Sequence, residues 1–164
     1  MGRLRPADLA AGAAGIALLV VLFLPWYGPG GVPQILTRGS AGTVTEYAPL
    51  GNSSGWQAFS VVDILLALAA AVAIALVLVT AAARGPAAPV AFSVISTVTA
   101  AIAVLLVLWR VIDPPKDFAA REGGAWAGLA IALLMLVASW AALHDERTPG
   151  AVPPDIPRRP APPA

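Results

Sequence analysis

The sequence predicts an all-α membrane protein: a four-helix transmembrane bundle, up-down-up-down, with a long first outer loop and a disordered Pro-rich C-terminal tail. Three observations predict it. Four long apolar stretches fill the chain, a single charged residue (Asp63) falls inside them, and most Trp and Tyr residues sit at alternating ends of the stretches. A bilayer core of about 30 Å takes about 20 apolar residues as helix, and each stretch is near or above that length. The 164 residues are 59% hydrophobic and 12% charged, where a soluble domain carries about 25% charged residues. A water-soluble fold of this size has no means of covering so much apolar surface. The length allows one domain, residues 1–147, followed by the tail at 148–164.

The first span is expected over about 8–27. Arg3 and Arg5 precede it, as in a secretory signal. The run ends in Pro25-Trp26-Tyr27, with bulky rings where a signal peptidase needs small residues, so an uncleaved anchor is expected. The connection from Trp26 to Trp56 is the longest. It opens with Gly28-Pro29-Gly30-Gly31-Val32-Pro33, which breaks any helix, and Thr43-Val44-Thr45-Glu46-Tyr47 has strand character. The second span is expected over 57–83 and the third over 87–109. The turn Arg84-Gly85-Pro86 between them makes an antiparallel hairpin. Asp113-Pro114-Pro115 and mixed charges separate the third span from the fourth, at 123–143. The proline-rich tail has no means of building a core.

The aromatics support the alternation. Trp26 and Tyr27 end span 1, Trp56 begins span 2, Trp109 ends span 3 and Trp126 begins span 4. In an up-down order all five fall at one face, at the headgroup level that Trp and Tyr favour. With the N-terminus inside, six Lys or Arg residues lie inside and four outside. That bias places both termini in the cytoplasm, and the expected location is the cytoplasmic (inner) membrane of a bacterium.

Small residues mark where helices approach closely in lipid. Gly124 and Gly128 have GxxxG spacing, span 1 has Ala11 and Gly15, and span 2 has Ala67, Ala71 and Ala75. These fit packing within one chain or a seam between copies. Ser93, Ser96 and Thr97 share a face of span 3. Their hydroxyls can bond back to carbonyls one turn earlier or line a polar path. Asp63 is expected roughly 9 Å below the interface, six residues into span 2. Arg110, at the same level on the neighbouring span, is its candidate ion-pair partner. A proton or cation site at Asp63, or a carboxylate hydrogen-bonded or reaching to the headgroups, are the alternatives.

Several classes are set aside. The net charge of +1 and the lack of a basic stripe argue against nucleic acid. No cysteine and one histidine, His144, leave no thiolate or imidazole metal site. No His or Lys lies in a span to activate a Ser or Thr. Neither catalytic, cofactor-binding nor metal residues are therefore expected, and no cofactor.

Phe23-Leu24-Pro25-Trp26-Tyr27, Gly55-Trp56-Gln57-Ala58-Phe59 with Asp63 four later, Gly124-Ala125-Trp126-Ala127-Gly128, and Asp145-Glu146-Arg147 occur in an order that resembles a group of uncharacterised small four-pass membrane proteins of actinobacteria. The resemblance spans roughly Leu9 to Arg147 and implies a topology but no activity. The layout is also similar to claudin-type tetraspans, without their loop cysteines and Trp-rich signature. The expected role is a non-enzymatic accessory, scaffold or envelope-sensing subunit, with the lipid bilayer, another membrane protein or a second copy as partner. The alternative is a small transporter or channel component acting as an oligomer.

Overall fold

A computed structural model describes residues 4–28, 31–37, 43–49, 52–82, 87–114 and 120–144. The turn Arg84-Gly85-Pro86 and the tail at 148–164 lie outside the described residues. The elements are α1 (Pro6–Val21), β1 (Pro25–Tyr27), β2 (Gly31–Thr37), β3 (Thr43–Pro49), β4 (Ser53–Ser54), α2 (Gly55–Ala58), α3 (Val62–Ala82), α4 (Ala87–Ile112) and α5 (Gly123–His144). The chain is thus mainly helical. Three helices, α3, α4 and α5, are long and apolar enough to cross a membrane; α1 is a shorter apolar helix.

Each boundary has a local cause. Pro6 opens α1, where its missing N–H costs nothing. Asp8 lies in the first turn and accepts the Arg5 backbone N–H at 3.2 Å, a favourable place for a carboxylate. At the other end Pro25 disfavours helical backbone at Leu24. The chain tightens first: Phe23 and Leu24 donate to the carbonyls of Val20 and Val21, both at 3.0 Å. The α-helix, sixteen residues and about 24 Å long, stops at Val21, short of the expected residue 27.

The second expected span, 57–83, is broken. Gly55–Ala58 forms one helical turn, with the Gln57 Oε1 accepting the Ser54 backbone N–H at 3.1 Å. Phe59 is extended, at φ −114° and ψ 150°, and the long helix begins afresh at Val62. Helix α4 runs three residues past the expected Trp109, to Ile112.

Helix α1 packs against α3 and α5, and α4 packs against the same two. The faces that meet are built from small residues. A Cβ on Gly15 would stand 2.8 Å from the Ala70 carbonyl oxygen, so α1 and α3 approach backbone to backbone there. The α3 side of this contact is Leu66, Ala69, Ala70 and Ala73, all buried. The expected stripe of Ala67, Ala71 and Ala75 is offset from it, with Ala71 exposed. Because helices turn 100° per residue, a spacing of four drifts off the contact face that the mixed three-and-four spacing follows.

Outward, the long helices present large apolar side chains. Leu68 is 58% exposed, Leu105 65% and Val137 64%. The hydroxyls of α4 are satisfied within the protein. Ser93 donates to the Val90 carbonyl and Thr97 to the Ser93 carbonyl, each at 2.8 Å. Ser96 instead reaches across to Ser139 of α5, with Oγ atoms 2.9 Å apart and both residues buried. Strands β2 and β3 form an antiparallel hairpin in register from Gly31 opposite Pro49 to Thr37 opposite Thr43. The strand character read at Thr43 to Tyr47 lies within β3.

Candidate functional site

A layer at one end of the helices joins chain segments distant in sequence. Its centre is the extended segment Pro25 to Gly28. On one side β1 pairs antiparallel with β4, Pro25 opposite Ser54 and Tyr27 opposite Ser53. On the other side Tyr27 bridges to Arg121. Here Glu122 donates to the Trp26 carbonyl and Gly28 to the Ala120 carbonyl, both at 2.9 Å. The chain leaving α1 is thereby stitched to the segments leading into α2 and α5.

Side chains extend the stitching to α4. The Tyr27 hydroxyl donates to the Arg110 carbonyl at 3.0 Å. Arg121 donates from Nε to the Val111 carbonyl, and from a terminal nitrogen to the Ile112 carbonyl at 2.9 Å. The last carbonyls of α4 have no partner within their own helix, and an arginine suits the negative end of its dipole. Tyr27 lies beyond the helices and is fully buried; desolvation pushes its hydroxyl up to about 12, and the charges of Arg110 and Arg121 oppose that rise.

Trp26 is the keystone of the packing. It is fully buried, and its indole N–H donates to the Val21 carbonyl at 2.8 Å. Its ring lies over Gly128, where a Cβ would stand 2.5 Å from the ring edge. A Cβ on Gly124 would collide with the Pro25 carbonyl oxygen. Gly124 and Gly128 were expected to pack helix on helix or to line a seam between copies; within the chain they seat an extended segment and an indole. Phe59 completes the cluster, edge-on to Trp26 at 5.3 Å and to Tyr27 at 5.9 Å. Its extended backbone is what breaks the second apolar stretch.

The five expected interface aromatics divide. Trp109 and Trp126 are 49% and 56% exposed, and Trp56 is half-buried beside Phe23, ring centroids 5.8 Å apart. Trp26 and Tyr27 are inside the protein. Their polar atoms find carbonyl acceptors there, which removes the need for a headgroup partner.

Asp63 is the second residue of α3, at its N-terminus, and is buried. Its Oδ1 accepts the Ile64 backbone N–H at 2.8 Å. The depth expected for it assumed a helix starting near Gln57; with the start at Val62 the carboxylate sits where the helix dipole favours it. Arg110, at the C-terminal end of α4, has its guanidinium carbon 5.3 Å from the Phe59 ring centroid and 4.6 Å from that of Trp109. An ion pair between Asp63 and Arg110 is not among the described contacts. Among the described residues no group of three His, Cys, Asp or Glu is placed to hold a metal.

Sequence reasoning missed Phe59, Arg121 and Ser139. Ser139 had a legible signal, since it is a hydroxyl in an otherwise apolar helix that neighbours a helix rich in hydroxyls. Arg121 had none, because a cap contributed from a loop leaves no periodic trace. No protein-family model, curated protein or solved structure matches this chain.

Proposed function

We propose that this chain is a non-enzymatic integral membrane protein of four antiparallel spans, α1, α3, α4 and α5. Its role is that of an accessory, scaffold or envelope-sensing subunit in a bacterial cytoplasmic membrane. The outward apolar faces support the membrane reading, since soluble monomers rarely expose contiguous apolar patches of this extent. The ends of α1 and α4 and the starts of α2 and α5 gather in one layer, which supports the alternation. The bias of Lys and Arg supports cytoplasmic termini.

The observation that carries the subunit reading is the placement of the first long connection. β1 and β4, the two segments that flank it, are the ones knitted into the end layer. The β2–β3 hairpin is therefore presented from a fixed base. Binding segments are characteristically loops held on rigid scaffolds. Three of the motifs that carry the resemblance to the actinobacterial four-pass group, Phe23 to Tyr27, Gly55 to Phe59 and Gly124 to Gly128, meet in the same layer.

Photo-crosslinking in intact membranes tests the reading. Probes placed singly at positions 31–37 and 43–49 are expected to capture a defined protein partner, while probes on the Ser93 face of α4 capture none. Equal labelling from both regions, or from neither, would count against a docking role. The alternative, a small transporter or channel component, rests on the buried Asp63. It requires solute or ion flux in proteoliposomes that Asp63→Asn abolishes.

A further inference from the structure

We propose that Arg110 is a phospholipid site: its guanidinium binds the phosphodiester of one membrane lipid, whose acyl chains lie along the outward side of α4. The inference rests on the membrane reading above. It starts from what Arg110 does not bond. A guanidinium carries five N–H donors and always its charge. Among the described residues the Arg110 side chain makes no hydrogen bond, and its Nε is buried without a partner. A buried donor left unmet costs about 1–3 kcal/mol, more when charged.

Three carbonyls at this end of α4 already receive other donors. The Arg110 carbonyl receives Tyr27, and the carbonyls of Val111 and Ile112 receive Arg121. Asp63 accepts from its own helix. The guanidinium is nevertheless well placed, flanked by Phe59 and Trp109 at cation–π distance. Its backbone is pinned by the Tyr27 hydroxyl. The site thus holds a preorganised cation for which no acceptor is found among the described residues.

The surroundings select the ligand. Leu105, Leu108, Trp109 and Ile112 are 65%, 38%, 49% and 67% exposed. An arginine at the end of such a face meets a phosphate above and acyl chains below. Arginine suits phosphate because its planar fork donates two parallel hydrogen bonds, which the point charge of lysine does not. A soluble anion gains nothing from the four apolar side chains; a phospholipid covers them.

The test uses the full chain purified in a maltoside detergent, titrated with phosphatidylglycerol and followed by native mass spectrometry. One retained lipid per chain is expected. Diacylglycerol, which lacks the phosphate, is not retained, and inorganic phosphate does not displace the lipid. Arg110→Gln lowers the apparent affinity by about tenfold or more, the order of one charge-assisted hydrogen bond. Arg110→Lys, which keeps the charge, falls between. Arg158→Gln, in the tail, retains lipid as the parent does. Wild-type retention in either Arg110 variant overturns the proposal, as does displacement by inorganic phosphate. If Arg110→Gln does not fold, the lysine variant and the diacylglycerol comparison decide. Release of the chain from membranes by alkaline carbonate would refute the membrane reading itself. A chain that stays embedded while Arg110→Gln keeps its lipid refutes this inference alone.

Discussion

The two ends of the helices are held in different ways. At the Trp26 end, chain segments distant in sequence are joined by backbone pairing, buried rings and side-chain hydrogen bonds; Tyr27 and Arg110 are 83 residues apart. At the Arg5 end the described ties are sparser. Arg5 donates to the Ala142 carbonyl at 3.2 Å, joining α1 to α5, and Ser96 meets Ser139 part-way along α4 and α5. Trp140 lies against His144 of its own helix, ring centroids 4.6 Å apart. The difference teaches where rigidity is invested. Interhelical hydrogen bonds add to side-chain packing where apolar helices meet, and among the described contacts most of these bonds join segments at the Trp26 end.

The largest way to break this asymmetry is at Trp26. Trp26→Ala is expected to cost about 3–5 kcal/mol, as for other large buried rings. Gly128→Ala should cost about 1–3 kcal/mol by forcing a methyl group against the indole. The double variant should cost clearly less than the sum, because the methyl then enters the space the ring vacated. Unfolding in mixed micelles measures all three, and strict additivity would show that the two positions do not touch.

A smaller effect is expected at Tyr27. Tyr27→Phe removes one hydrogen bond and should cost about 1 kcal/mol, with the Arg110 carbonyl left unmet. It also has a pH signature. The folded Tyr27 hydroxyl titrates at about 12, above its ordinary value of 10.0. The native state therefore holds the proton more tightly than the unfolded chain. That contribution to stability is complete below pH 10 and is lost as pH rises toward 12. The parent should lose more stability than Tyr27→Phe across that interval; parallel pH curves would remove Tyr27 from the account.

At the other end, Ser96→Ala and Ser139→Ala should each cost about 0.6–1.7 kcal/mol, the range for hydrogen bonds between helices in membranes. The pair should couple in a double-mutant cycle. The smallest change is Arg5→Gln, at about 0.5–1 kcal/mol, since the bond to Ala142 is partly exposed. Its more telling readout is faster amide exchange in the first turn of α1, with the β1 amides unchanged. Equal acceleration at both ends would mean that the two ends open together.

Much of the helical layout was legible because hydropathy and length determine it: α3, α4 and α5 overlap the expected spans closely. What escaped is local and non-periodic. The break at Phe59 to Val61 contains no proline or glycine, and its apolar residues read as more span. It exists because Phe59 has a better place, edge-on to Trp26 and Tyr27, than a helical continuation offers. Asp63 was misplaced for the same reason, since its depth was counted from a helix start that the break moved. The glycines at 124 and 128 were seen, but spacing alone does not say what fills the groove they open. Likewise a tryptophan at a span end looks the same in sequence whether it turns to lipid or inward, and Trp26 and Trp109 do opposite things.

The central position of Pro25 to Gly28 has a consequence for how the molecule is made. One flank of this segment is complete once Ser54 has been synthesised, but the other is Ala120 to Glu122, and the seat of its indole is Gly128. About a hundred residues separate Trp26 from that seat, and all must leave the ribosome before the indole can be covered. Throughout that interval the exit of the first helix is an unfinished edge, with an aromatic wedge, an open carbonyl at Trp26 and an open N–H at Gly28. The last helix is thus more than one further apolar rod. Its arrival closes the structure, and a chain stopped short of it would leave Trp26 uncovered.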